Sequence, residues 1–138
     1  MSTFIWPIRV YYEDSDAGGV VYHSQYLNFM ERARTEFLRH YGFAQTSLRE
    51  DLDIIFVVRQ LAINYRKPAH FDDALEVVTT LTSLGRSLMK FNQSIKRADE
   101  TLIEAEVEVV CVDAEKFKPV SIPAVIRNKI QIVNSETH

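Results

Sequence analysis

Cysteine is nearly absent: Cys111 is the only one in 138 residues, which excludes a disulfide within the chain and suits a reducing, cytoplasmic setting. One thiol, with His23, His40, His70 and His138 scattered singly, also lacks the close ligand pairing that zinc sites use, so no metal is expected. Excess basic charge is missing too. A formal net charge of -3 gives no electrostatic reason to bind a polyanion, and nucleic acid is not an expected partner. No apolar run is long enough to span a bilayer, and the opening MSTFIWPIRVYY, charged only at Arg9, lacks the basic start and apolar stretch of a secretory signal. There is no internal repeat, low-complexity tract or linker, no glycine-rich phosphate loop, and no nucleophile-elbow pattern around Ser24 or Ser87. What is present is an ordinary globular composition, 46% hydrophobic and 25% charged, at a length that fits one domain over residues 1–138.

The apolar pattern divides the chain in two. Ile5 to Tyr12 alternates, with Trp6, Ile8, Val10 and Tyr12 on one face, and Pro7 argues for a strand at a sheet edge. Tyr26, Phe29, Met30, Ala33, Phe37 and Tyr41 then recur at helical spacing, with Ser24 as the expected N-cap and Gly42 as the C-terminal cap. Thr46 to Asp53 reads as a polar connector with one or two helical turns. From there the period falls to two: Ile54–Tyr65, Leu75–Leu84, Leu88–Arg97 and Ile103–Cys111 read as strands, with turns at Gly85 and at Ala98-Asp99-Glu100 making the last three sequential neighbours. Glu104, Glu106 and Glu108 alternate with apolar residues, as in an antiparallel sheet with one wet face, so Cys111 is expected as a buried small hydrophobe. After Pro119, Pro123 sits near the first turn of a short closing helix carrying Val125, Ile126, Ile130 and Val133. A sheet with one apolar face and a helix with a broad apolar stripe cover each other, which predicts an α+β fold with the sheet wrapped on the helix.

The chemistry concentrates in YYEDSDAGGVVYHSQYL. As a calcium loop, Asp14-Ser15-Asp16-Ala17-Gly18-Gly19 fails, because Gly18 fills the fifth ligand position and Gln25 stands where a bidentate glutamate is required. A magnesium-dependent phosphatase would want a larger parallel sheet than these alternating strands allow. Both aspartates could simply shape the turn, since aspartate bonds its own backbone there. Against that, a carboxylate and the imidazole of His23 flanking one turn can together orient and activate a water or a leaving group.

The segment YYEDSDAGGVVYHSQYL with FMERARTEFLRHYGF, followed in order by FVVRQLAINYRKPAHFDD, AEVEVVCVD and KFKPVSIP, resembles the hotdog-fold acyl-CoA thioesterases of the 4-hydroxybenzoyl-CoA thioesterase type, and among them the branch linked to the Tol-Pal system. The resemblance implies a five-stranded antiparallel sheet around one long helix, in dimers or dimers of dimers with active sites at the subunit interface. It implies hydrolysis of an acyl-CoA thioester without a cofactor. Asp16 matches the catalytic carboxylate and His23 the branch's histidine, while Asp14 keeps its turn role. Asp16 would act as nucleophile or general base, with an amide around Val20 to Tyr22 or from the partner subunit polarising the carbonyl. Tyr22 and Tyr26 are candidate substrate contacts, with Phe29 and Met30 as possible pocket borders. Arg59, Arg66, Lys67, Arg86 and Lys90 are the cationic candidates for the CoA phosphates, although exposed Lys and Arg usually serve only as solvated surface. The Tol-Pal link also implies a site beside the inner membrane and contact with acyl carrier protein or phospholipid-synthesis proteins. It leaves open a non-catalytic acyl-binding scaffold.

Overall fold

A computed structural model describes the backbone of residues 3–136 and the side chains of residues 3–130. The last turn of the closing helix, with Val133, and His138 therefore fall outside the described side chains. Strand β1 (Thr3–Arg9) is followed by a single 3-10 turn (Tyr12–Asp14), helix α1 (His23–His40), helix α2 (Gln45–Leu52), strands β2 (Ile54–Tyr65), β3 (Ala74–Leu84), β4 (Leu88–Arg97) and β5 (Glu100–Asp113), and helix α3 (Ala124–Glu136). The five strands form one antiparallel sheet in the order β1-β3-β4-β5-β2. This is the expected α+β arrangement.

Helix α1 buries Tyr26, Phe29, Met30, Ala33 and Phe37 against the sheet, each at most 2% exposed. The Phe37 ring meets Phe91 of β4 edge-on at 5.4 Å between centroids, and Tyr41 at 5.0 Å. Each such ring contributes about 1.5–3 kcal/mol by leaving water. One polar chain crosses this core: Gln93 of β4 donates to the Met30 carbonyl and to Thr79 Oγ1, and accepts from Arg34. Every group in it is paired, so the burial of Gln93 and Thr79 carries little penalty.

The helix boundaries differ from the sequence expectation at one end. Ser24 lies inside α1, and the N-cap is Tyr22, whose extended backbone ends the loop without a side-chain cap. The C-terminus closes as expected: Gly42 takes φ +92°, its amide donates to the Arg39 carbonyl, and the Phe43 amide reaches back to the Leu38 carbonyl. Tyr12 is also corrected. The chain leaves the strand geometry after Arg9, so Tyr12 stands 76% exposed in the 3-10 turn instead of on the buried face with Val10.

Strand alternation breaks where the ladders slip. Between Ile95–Ile103 and Lys96–Thr101 the extra residue Leu102 bulges, so Leu102 and Ile103 are both buried. Its carbonyl then accepts the amides of both Arg66 and Lys67. The bulge thereby fixes where the chain leaves β2. Cys111 is fully buried, as expected, and burial pushes its thiol up to about 11.

Candidate active site

The site starts with a fork between two aspartates. Asp14 is only 5% exposed, and both its oxygens are occupied: Oδ2 accepts the Tyr11 amide and Oδ1 accepts Gln25 Nε2, each at 2.9 Å. It ties the end of the first strand to α1. Asp16 is half-buried, and its Oδ1 accepts the Gly18 amide at 2.8 Å, while Oδ2 takes no hydrogen bond among the described residues. Two glycines make this turn. A Cβ on Gly18 would sit 3.3 Å from Asp16 Oδ1, and Gly19 holds φ +80°, with its amide bonded to the Asp16 carbonyl at 2.9 Å.

The turn rests on the segment between β2 and β3. Val21 donates to the Ala69 carbonyl and Phe71 donates to the Gly19 carbonyl, each at 2.9 Å, with Val20 bridged to His70 between them. Tyr26 completes the floor from α1, its hydroxyl accepting the Ala69 amide at 2.8 Å. Burial raises the Tyr26 phenol, so it stays protonated at neutral pH.

A cavity of about 290 Å³ opens where the turn, the N-terminus of α1 and the end of β2 meet. Asp16, Tyr22, His23, Tyr26 and Lys67 all line it, together with Tyr65, Arg66, Val20, Val21 and Pro68. The His23 ring packs edge-on to Tyr65 at 4.7 Å between centroids, and the Tyr65 hydroxyl donates to the His23 carbonyl at 3.4 Å. Sequence reasoning missed Tyr65. Its only signal was an aromatic in the last strand position, next to Arg66 and Lys67.

At the rim, Arg66 pairs with Glu104 at 2.8 Å and Lys67 with Glu100 at 2.5 Å. The other cationic candidates lie elsewhere. Arg59 is the bulged residue of β2, Arg86 Nε donates to Ser121 Oγ, and Lys90 faces Glu108 at 3.6 Å. Phe29 and Met30 do not border the cavity. They face the sheet, fully covered, because the helix stripe points into the core.

Of the amides expected to polarise a carbonyl, those of Val21 and Tyr22 are engaged by Ala69 and Asp14. The next two, of His23 and Ser24, begin the 18-residue α1 and have no acceptor within the helix. The positive end of the helix dipole adds to them, which makes this end of the cavity suited to an oxygen that gains negative charge. Among the described residues no cluster of His, Cys, Asp and Glu could hold a metal. No helix among them is long and apolar enough to cross a membrane.

A family model described as the thioesterase superfamily matches residues 18–104, beginning two residues after Asp16. The acyl-CoA thioester hydrolase YbgC of Escherichia coli O6:H1 is 53% identical over 121 residues, covering 87% of this chain and 90% of that protein. The acyl-CoA thioesterase YbgC of Haemophilus influenzae is 48% identical, covering 90% and 91%. The crystal structure of a protein described as a probable thioesterase from Bartonella henselae superposes with a TM-score of 0.85 at 37% identity, covering 88% of this chain and all of that one. Sheet order, central helix and these likenesses agree: the chain has the hotdog fold and belongs to the thioesterase superfamily.

Proposed function

We propose that this protein is an acyl-CoA thioesterase, hydrolysing an acyl-CoA to a free carboxylic acid and CoA with Asp16 as the catalytic carboxylate and His23 as its partner. The observation that carries this reading is that Asp16, with one carboxylate oxygen unengaged among the described residues, and His23 line the same cavity at the N-terminus of a long helix. The thioester carbonyl oxygen would sit against the His23 and Ser24 amides, which stabilise it as it gains negative charge. Asp16 then either attacks the carbonyl carbon, forming an anhydride and expelling CoA thiolate before water cleaves the anhydride, or removes a proton from the water that attacks directly. His23 would hold the water or protonate the departing sulfur. Arg66 and Lys67 at the rim are the cations nearest the cavity for the CoA phosphates.

The expected assembly is a dimer, or a dimer of dimers, built by copies of this chain. Arg59 and Arg86 do not line the chain's own cavity, so either would meet CoA only beyond it or from a second copy. The thiol-release assay across short, long and aromatic acyl-CoA substrates tests the function. Wild type should turn over, Asp16→Asn should be inactive, and His23→Ala should lose most activity while remaining folded. Unchanged turnover in Asp16→Asn would sink its assignment. Tight acyl-CoA binding without turnover by wild type would favour the scaffold reading instead. Single turnover in oxygen-18 water separates the two routes, since only the anhydride route can leave label in the Asp16 carboxylate.

A further inference from the structure

Arg97 closes β4 and does not line the cavity, yet it holds both ends of the segment on which the Asp16 turn rests. Its Nη1 donates to Asp73 Oδ2 at 2.8 Å and its Nη2 to Glu100 Oε1 at 2.6 Å. Asp73 Oδ2 also accepts the His70 amide at 2.8 Å, and the second oxygen of Glu100 takes Lys67 Nζ at 2.5 Å. The same Nη1 reaches the Pro68 carbonyl at 3.4 Å. One guanidinium thus bridges two carboxylates, one fixed to His70 and the other to Lys67.

The stretch from Lys67 to Asp73 belongs to no helix or strand, so polar contacts and not a ladder define its path. It carries the Ala69, His70 and Phe71 backbone that pairs with Gly19, Val20 and Val21, and the Ala69 amide that orients Tyr26. A shift here moves the Asp16 turn and the Lys67 ammonium together. Misplacing a reacting group by about 1 Å can cost about 100-fold in rate.

We propose that Arg97 is a positioning residue for the reaction: by bridging Asp73 and Glu100 it holds the Lys67–Asp73 segment, and through it the Asp16 turn and Lys67, in working geometry. The planar guanidinium suits this because it can serve two carboxylates at fixed directions, whereas a lysine ammonium is a point charge on a flexible stem. Burial works against the charged form of Asp73, but the His70 amide and Arg97 outweigh it and hold its carboxyl below the ordinary range. The proposal rests on the thioesterase reading of the Asp16 cavity.

The test is thiol release by the full chain, with folding checked by circular dichroism at the assay temperature. Arg97→Met should lower kcat about 10- to 100-fold and raise KM, and Arg97→Lys should recover only part of the loss. Asp73→Asn should act mainly on kcat, through the turn, and Glu100→Gln mainly on KM, through Lys67. If Arg97→Met is folded with wild-type kcat and KM, or shows a lower melting temperature alone, the role is structural and the proposal falls. Should Arg97→Met fail to fold, Arg97→Lys and Asp73→Asn carry the same comparison. Hydrogen exchange at the Gly19 and Val21 amides separates this proposal from the functional reading. Faster exchange in Arg97→Lys supports positioning even if wild type cleaves no acyl-CoA, and unchanged exchange overturns it even if wild type is active.

Discussion

Asp14 and Asp16 are the same residue type two positions apart, and their hydrogen bonding differs. Asp14 spends both oxygens on Tyr11 and Gln25 in a buried setting, whereas Asp16 spends one on its own turn and lines a cavity. Composition and spacing put both in a tight turn but left open whether either did chemistry. The contact that sets their surroundings apart, Gln25 to Asp14, spans eleven residues and depends on how α1 docks. A matched pair of variants follows. Asp14→Ala leaves the Tyr11 amide and Gln25 without an acceptor, which should cost about 1–3 kcal/mol and lower the melting temperature by several degrees. Asp16→Asn keeps a side-chain oxygen for the Gly18 amide, so its melting temperature should stay at the wild-type value while its activity disappears. Equal thermal stability of Asp14→Ala and wild type, measured by calorimetry, would contradict this division.

Helix α1 and the strands were legible because each buries one face, and burial of a regular element imposes its own period on the residues. Legibility failed at slips and ends. Leu102, Arg59 and Thr82 are extra residues opposite a partner strand, a property of pairing that no single strand records. The Lys67–Asp73 segment was equally hidden, since Arg97 and Glu100 hold it from 24 and 33 residues away in the chain. Its ionic character predicts a pH effect. Hydrogen bonds from Lys67 and then Arg97 hold the Glu100 carboxyl below its ordinary value, and Asp73 is also lowered on balance. A carboxyl depressed in the folded state stabilises the fold above its unfolded pKa of about 4, and that contribution is lost as pH falls through the folded value. Thermal melts should therefore show stability declining below about pH 4, with a shallower decline in Arg97→Met. An identical acid profile in the two proteins would remove these carboxylates from the account.

Sheet order is where the chain's order and its architecture part. The β3-β4-β5 hairpins follow from turns at Gly85 and Ala98, but β1 and β2 reach opposite edges through long-range pairings, such as Thr3 with Thr80 and Ile54 with Asp113. The two edges differ in kind. β1 is short and carries Pro7, which cannot donate to another strand, so it is protected against further pairing. β2 runs for 12 residues without proline, and Val58 on it is 49% exposed. A long free edge with an exposed apolar residue is a site for strand addition, and two copies related by a two-fold axis pair such edges antiparallel. Tyr65, at one end of β2, borders the Asp16 cavity, so antiparallel pairing would bring the Ile54 end of a second copy towards it. Assembly and activity should then be lost together. Val58→Lys places a desolvated charge in such a pairing, and light scattering should show a wild-type dimer or tetramer falling to monomer, with thiol release reduced at least 10-fold, the factor that about 1.4 kcal/mol of lost interaction supplies. A wild type that is monomeric at assay concentration, or a monomeric variant of full activity, would leave the cavity of a single chain sufficient for the chemistry and the β2 edge without a part in it.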